Sequence, residues 1–267
     1  YVRRIINLCL IYAIIGLSMN LTNGFAGQFS LGQAGFMAVG AYVVGVFTVP
    51  VDLRPNVFYA VPMNPMIADI QLPLWLALLF GGLLAALIAF LIGWPVLRLR
   101  GDYLAIATLG FSEIIRILIT NAQSWTNGAL GIKDIPALND VRYIFIATAI
   151  TFLFVTCLIN SSYGRAFKAI REDEIAAEAM GVGLFKHKCM AFMLSAFFAG
   201  IGGGLYATLL GTVDPKNFLF TLTYNFLLII VLGGMGSITG SMLGSIIVTG
   251  GLEYLRVFDE PLELFGM

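Results

Sequence analysis

Long apolar runs decide most of what this chain can become. Eight of them, near 5–21, 33–49, 73–97, 103–120, 142–159, 189–211, 219–235 and 239–256, have the scale of a membrane-crossing helix. Such a helix covers a hydrocarbon core of about 30 Å with about 20 residues. A membrane β-barrel would instead alternate apolar and polar residues over short strands, and these runs do not alternate. The chain therefore reads as an all-α polytopic membrane protein with about eight spans, a single transmembrane domain over 1–267. The longest polar stretch, 160–188, leaves no room for a separate soluble domain. Only 11% of the residues are charged, and the mean hydropathy is +0.92. That excludes a disordered chain, a basic nucleic-acid binder and an ordinary water-soluble enzyme.

Net charge is zero, so the position of the charges carries the information. Loops 98–102 and 160–188 hold Arg98, Arg100, Arg165, Lys168, Arg171, Lys186 and Lys188. The opposite set holds Arg3, Arg4, Arg54, Lys133, Arg142, Lys216 and Arg256 over roughly twice the length, together with most of the acidic residues, including Asp259, Glu260 and Glu263. Basic residues concentrate in short cytoplasmic loops. Loops 98–102 and 160–188 are placed in the cytoplasm, with Arg3 and Arg4 outside. No signal peptide is visible at the N-terminus. Cys9, Cys157 and Cys189 lie in or beside apolar runs and have neither disulfide-framework nor zinc-site spacing.

Two stretches interrupt the apolar pattern. Residues 20–36, NLTNGFAGQFSLGQAGF, carry Asn20, Asn23, Gln28, Ser30 and Gln33 among Gly24, Gly27, Gly32 and Gly35, with no charged residue. Neutral polar groups with glycine suit non-helical backbone inside a membrane, held against protein or a water-filled cavity. Broken helices of this kind line translocation paths; the other reading is a short interfacial turn. Residues 233–245, GGMGSITGSMLGS, repeat the spacing of Gly24 and Gly27 at Gly233 and Gly236. Interruptions in both halves suggest a transporter built from repeats. Small residues at Ala196, Gly200 and Gly204, and at Gly240 and Gly244, form stripes that predict close helix packing.

Glu113 and Arg116 stand inside the fourth span, spaced to pair on one helix face. They either lock that helix to its surroundings or face a substrate route. In the 160–188 loop, Ser161 or Ser162 is positioned to cap a helix containing REDEIAAEAMG, which Gly181 and Gly183 end. This helix is either a solvated connector or a docking element for a cytoplasmic partner. No G-x-x-x-x-G-K-[ST] occurs in the chain, and G-x-S-x-G, H-E-x-x-H and C-x-x-C are also missing. An enzyme within the membrane finds no support.

Several segments together resemble one family. GLSMNLTNGFAGQFSLGQAGFMAVGAY at 16–42, LRLRGDYLAIATLGFSEIIRIL at 97–118, TNGALGIKDIP at 126–136 and REDEIAAEAMGVGLFKHKCMAFMLSAFFAGIGGGLYA at 171–207 resemble, in order, the LivM-type permeases of branched-chain amino-acid ABC importers. The resemblance implies a bacterial inner-membrane permease that translocates leucine, isoleucine and valine. It also implies a homologous LivH-type permease partner, two cytoplasmic ATPase subunits and a periplasmic binding protein. This chain would bind no cofactor of its own; ATP and magnesium would sit in the ATPases. No nucleic acid is implied, and the bilayer is the remaining partner.

On this reading Asn20, Gly24, Gly27, Gln28, Ser30, Gly32, Gln33, Glu113 and Arg116 are the translocation-path candidates. Arg171, Glu172, Asp173, Glu174, Glu178 and Gly181 are the ATPase-docking candidates within 160–188. That loop lacks the Leu-Pro found after the corresponding glycine in other importer permeases. The family normally has one further span before Tyr1 and another after Met267, so truncation at both ends is expected, with ten spans in a full member. Urea and short-chain amide permeases are close relatives and give an alternative substrate. An ion-coupled secondary transporter is the alternative of a different class.

Overall fold

A computed structural model describes residues 2–99, 101–138 and 140–255. Eight long helices occupy the eight apolar runs: α1 (Val2–Asn20), α2 (Gln33–Thr48), α3 (Leu74–Val96), α4 (Asp102–Asn121), α5 (Val141–Asn160), α8 (Leu184–Leu210), α9 (Phe220–Gly233) and α10 (Ile238–Leu255). Two short helices, α6 (Ser162–Glu172) and α7 (Glu174–Ala179), lie between α5 and α8. Arg100, Arg256 and the acidic 259–263 segment used above for orientation lie outside the described residues.

Among the described residues, five helical stretches are long and apolar enough to cross a membrane, and a sixth arises if α2 is joined to 51–57 across a 97° bend. These are Val2–Phe25, α3, α4, α5 and α8. The departures from eight equal spans have a cause in the breaks. At 1.5 Å per residue, α2 reaches only about 24 Å and α9 about 21 Å. The polar stretch 26–32 takes the place of the first turns of α2 with non-helical chain. Helix α8, by contrast, starts well before the apolar run, so Lys186 and Lys188 belong to its first turns.

The core is α8 clasped by α2 and α3, with α1 alongside and α10 outside α1. Small residues let these backbones touch. A β-carbon on Gly40 would come within 1.9 Å of the Gly200 carbonyl, and one on Gly203 within 1.9 Å of the Met37 carbonyl. The predicted stripe through Ala196, Gly200 and Gly204 is therefore this packing seam. Gly240 and Gly244 play the same part against Gly233 and Ile229, which makes α9 and α10 an antiparallel hairpin. Burial separates the centre from the rim: 72% of the apolar window of Val2–Phe25 is buried, against 28% for α4.

Following the chain through these helices puts the 21–32 and 234–237 breaks at the same end as α6 and α7. At the other end, three connections are knitted by backbone hydrogen bonds. Ile132 and Val213 form a short antiparallel bridge, Asn64 N–H donates to Ser124, and Leu72 N–H donates to Phe47.

Candidate functional site

The first break begins where α1 widens into a π-helical turn at Leu21–Phe25. Such turns mark inserted strain and are frequent at functional positions. Here the space beside the turn is filled by Asn20. A β-carbon on Gly24 would meet Asn20 Oδ1 at 1.8 Å, so only glycine fits. The chain then turns at Gly27, whose φ of 66° is a left-handed value natural to glycine. Asn23 holds the following segment in place: its amide donates to the Ser30 carbonyl (3.2 Å) and its Oδ1 accepts from Ser30 N–H (3.1 Å).

The segment 28–32 climbs between helices to the start of α2. Leu31 N–H donates to Thr108 Oγ1 on α4 (2.9 Å), and Ala34 N–H donates to Thr223 Oγ1 on α9 (3.2 Å). Gln33 donates to Ser18 Oγ on α1 (2.5 Å) and to Ser195 Oγ on α8 (3.4 Å). Ser195 in turn donates to the Ser18 carbonyl at 2.6 Å. The start of α2 is thus anchored to four helices by hydroxyls, two of which satisfy backbone N–H groups of the segment. Gly32 and Gly35 let this segment lie against Thr108 and Ser112. Gln28 differs from its neighbours. It is 2% exposed, yet neither atom of its amide has a partner among the described residues.

The second interruption is a tight turn rather than a broken span. Gly234 and Gly236 take φ of 92° and 83°, and the turn joins the α9–α10 hairpin. The shared spacing does carry a shared backbone feature, because Gly27 and Gly236 both adopt positive φ. The continuation differs: Gly27 leads into the non-helical 28–32, whereas Gly236 leads almost at once into α10.

The two interruptions meet. Asn20 Nδ2 donates to the Ser237 carbonyl (2.9 Å) and Ser241 Oγ (2.7 Å), and its Oδ1 accepts from Gly236 N–H (2.8 Å). Arg171, at the end of α6, enters the same junction and donates from Nη1 to the Gly24 carbonyl at 3.0 Å. Its other edge is held by the Glu172 carboxylate, with Nη2 to Oε1 at 2.5 Å. Asn20, Gly24, Gly27 and Arg171 therefore form one cluster with the 234–241 turn.

Glu113 and Arg116 stand apart from this cluster, with no hydrogen bond to it. They pair with each other on α4, Arg116 Nε to Glu113 Oε2 at 2.8 Å. About a quarter of each side chain is exposed. Glu113 Oε1 and the adjacent Ser112 hydroxyl are buried without partners among the described residues.

The 160–188 segment forms two helices where one was expected. Ser161 caps α6 by accepting from Tyr163 N–H. At Asp173 the chain turns extended, and its carboxylate accepts from Ile175 and Ala176 N–H at 2.8 and 3.1 Å. An aspartate that caps a new helix competes with continuing the old one. Glu174 is held by Lys188 of α8 at 2.5 Å. Glu178 points outward, as do Ile175 and Met180, which are 76% and 84% exposed. Gly181 ends the element with φ of 84°.

Ser18, Ser195, Ser237 and Thr223 escaped the sequence reading as site residues. A lone hydroxyl within an apolar helix looks the same whether it bonds its own preceding turn or a distant partner. The inward turn of Arg171 escaped it too, because its target is a backbone carbonyl and leaves no mark in sequence.

Comparison with known proteins supplies the family. The family described as branched-chain amino acid transport system, permease component, matches residues 1–267. The chain is 37% identical over 290 residues to the high-affinity branched-chain amino acid transport system permease protein LivM of Escherichia coli (strain K12). It is 35% identical over 290 residues to the protein of the same name from Salmonella typhimurium. Each alignment covers 96% of this chain and 64% of the relative, so the chain spans just under two thirds of their length. A probable branched-chain amino acid transport permease protein LivM of Methanocaldococcus jannaschii is 30% identical over 262 residues, covering 88% of this chain and 75% of that protein. No solved structure matches the chain. With its multi-pass helical fold and a family match along its whole length, this chain belongs to the permease components of branched-chain amino acid transport systems.

Proposed function

We propose that this chain is the membrane-spanning permease subunit of an ATP-driven importer. It translocates leucine, isoleucine and valine received from a periplasmic binding protein, in the bacterial inner membrane. A homologous LivH-type permease completes the channel, and two cytoplasmic ATPases supply the motor, with ATP and magnesium bound in them. The names of the relatives and the lack of a phosphate-binding loop motif support this division of labour.

The observation that carries the reading is α7. It is a short, capped helix pinned by Glu174–Lys188, and it presents Ile175, Glu178 and Met180 at the end of the molecule where both interruptions lie. An amphipathic helix that offers apolar anchors beside a charge fits a groove on a partner. Glu172, Asp173 and Gly181 shape this element. The path itself is read along the 28–35 segment and the flank of α4, where Gln28, Ser112 and Glu113 hold buried polar atoms free for a passing zwitterion. Apolar walls accept the aliphatic side chain.

The test is purification and reconstitution. The chain should isolate with ATPase subunits, and ATP should drive uptake of isoleucine rather than urea. Changing Ile175 to Ser together with Glu178 to Lys should reduce ATPase copurification while yield of the membrane protein holds. Uptake driven by a proton or sodium gradient without ATPases would overturn the reading.

A further inference from the structure

We propose that Arg171 is a positioning residue that joins the cytoplasmic α6–α7 segment to both interruptions of the membrane helices. This inference rests on the permease reading for its consequence, and on geometry alone for the joint.

Arg171 is covalently part of α6 yet lodges between two segments far away in sequence. Its Nη1 donates to the Gly24 carbonyl at 3.0 Å across 147 residues of chain. That carbonyl belongs to the π-helical turn, where the regular helix bonding is already disturbed. A charged donor gives such an acceptor a stronger bond than a neutral group does. The guanidinium is held in that direction by Glu172, which takes its Nε and Nη2 edge.

The contact also resists compression. A β-carbon on Gly27 would lie 2.9 Å from Arg171 Cγ and 3.1 Å from its Cα. A β-carbon on Gly236 would lie 2.8 Å from Arg171 Nη1. The arginine thus fills space that two glycines leave open, one on each interruption. Asn20 ties those interruptions to each other through Gly236, Ser237 and Ser241. A pull on α6 acts through the hydrogen bond, and a push acts through the glycine contacts. Because such a bond is lost beyond roughly 3.5 Å, a shift of α6 by well under an ångström must either carry the junction along or release it.

Two measurements test this. The first needs no transport. Spin labels at Lys168→Cys on α6 and Met235→Cys on the hairpin turn, in a chain whose three native cysteines are replaced by alanine, report the distance across the joint. A narrow distribution is expected, and Arg171→Ala should broaden it, with Arg171→Lys between the two. An unchanged distribution in Arg171→Ala overturns the joint.

The second uses the whole complex with its ATPases and binding protein in proteoliposomes. Per assembled complex, Arg171→Ala should still hydrolyse ATP, while the isoleucine moved per ATP falls roughly tenfold, a usual size for coupling between sites. Arg171→Lys should restore part of that ratio. A normal ratio in Arg171→Ala, or a fall in hydrolysis and uptake in equal proportion, overturns the role in coupling. If the unaltered chain neither assembles with ATPases nor takes up isoleucine, the permease reading fails while the distance measurement still judges the joint.

Discussion

Two arginines, one at each end of the molecule, solve opposite problems. Arg54, at the end away from α6 and α7, is 4% exposed and donates to four carbonyls, those of Val49, Ile67, Ala68 and Ile70. Its partners lie within 16 residues, so it staples one connection onto itself. Arg171, at the α6–α7 end, makes one bond to a distant carbonyl, and a neighbouring carboxylate keeps a third of its side chain at the surface in company. Many local bonds make a rigid cap, because losing one leaves the others in place. Single bonds between remote segments make a junction that opens when its parts move. The end that holds Arg54 is tied by bonds within one connection, and the end that holds Arg171 by bonds between segments remote in sequence.

The contrast is open to measurement. Arg54→Met strips four carbonyls, two of them in buried bonds, of a charged donor and should cost about 3 kcal/mol. The check is a clearly lower thermal midpoint in detergent, with uptake per folded molecule unchanged. Asn20→Leu removes three bonds between the interruptions, and about 2 kcal/mol is expected. Its sharper signature is faster maleimide labelling of a cysteine at Met235. If Asn20→Leu lowered the midpoint as much as Arg54→Met without speeding that labelling, the inner junction would be as rigid as the cap.

A smaller effect belongs to the α4 pair. A double-mutant cycle of Glu113→Gln and Arg116→Gln should give a coupling of about 1 kcal/mol. Each single variant should be less stable than the double, since it strands one charge in the membrane. A vanishing coupling would show that the pair does not act as a unit. The smallest effect is local: Asp173→Ala should weaken α7 by about 1 kcal/mol. Faster amide exchange over 174–179 with an unchanged global midpoint would show that α7 opens independently of the long helices.

Legibility followed the range of the interactions. The eight apolar runs gave eight helices because the cost of placing side chains and backbone in lipid is read locally. The glycine stripe at Ala196–Gly204 was legible for the same reason, since its periodicity lies on one helix. The 160–188 loop was half legible. Its cap at Ser161 and its end at Gly181 were visible, but Asp173 looked like another helix-forming residue. Only the extended backbone there turns its carboxylate into a second cap. The 20–36 stretch was recognised as an interruption, whereas the partners of Asn20 and Gln33 were invisible. They are hydroxyls and backbone groups on other helices, and any of many serines would read alike.

By itself, the sequence determined that this chain is a multi-pass helical membrane protein, that it is interrupted at 20–36, and where its basic loops lie between the helices. Each of these depends on the sum of local transfer costs along the chain. Tertiary structure alone decided that the two interruptions form one junction, that Arg171 turns into it, and that the Gln28 amide has no partner among the described residues. Those outcomes depend on contacts between residues as much as 221 positions apart. A buried polar group is settled by whichever donor or acceptor the packing brings within hydrogen-bonding distance, and no local pattern encodes that meeting.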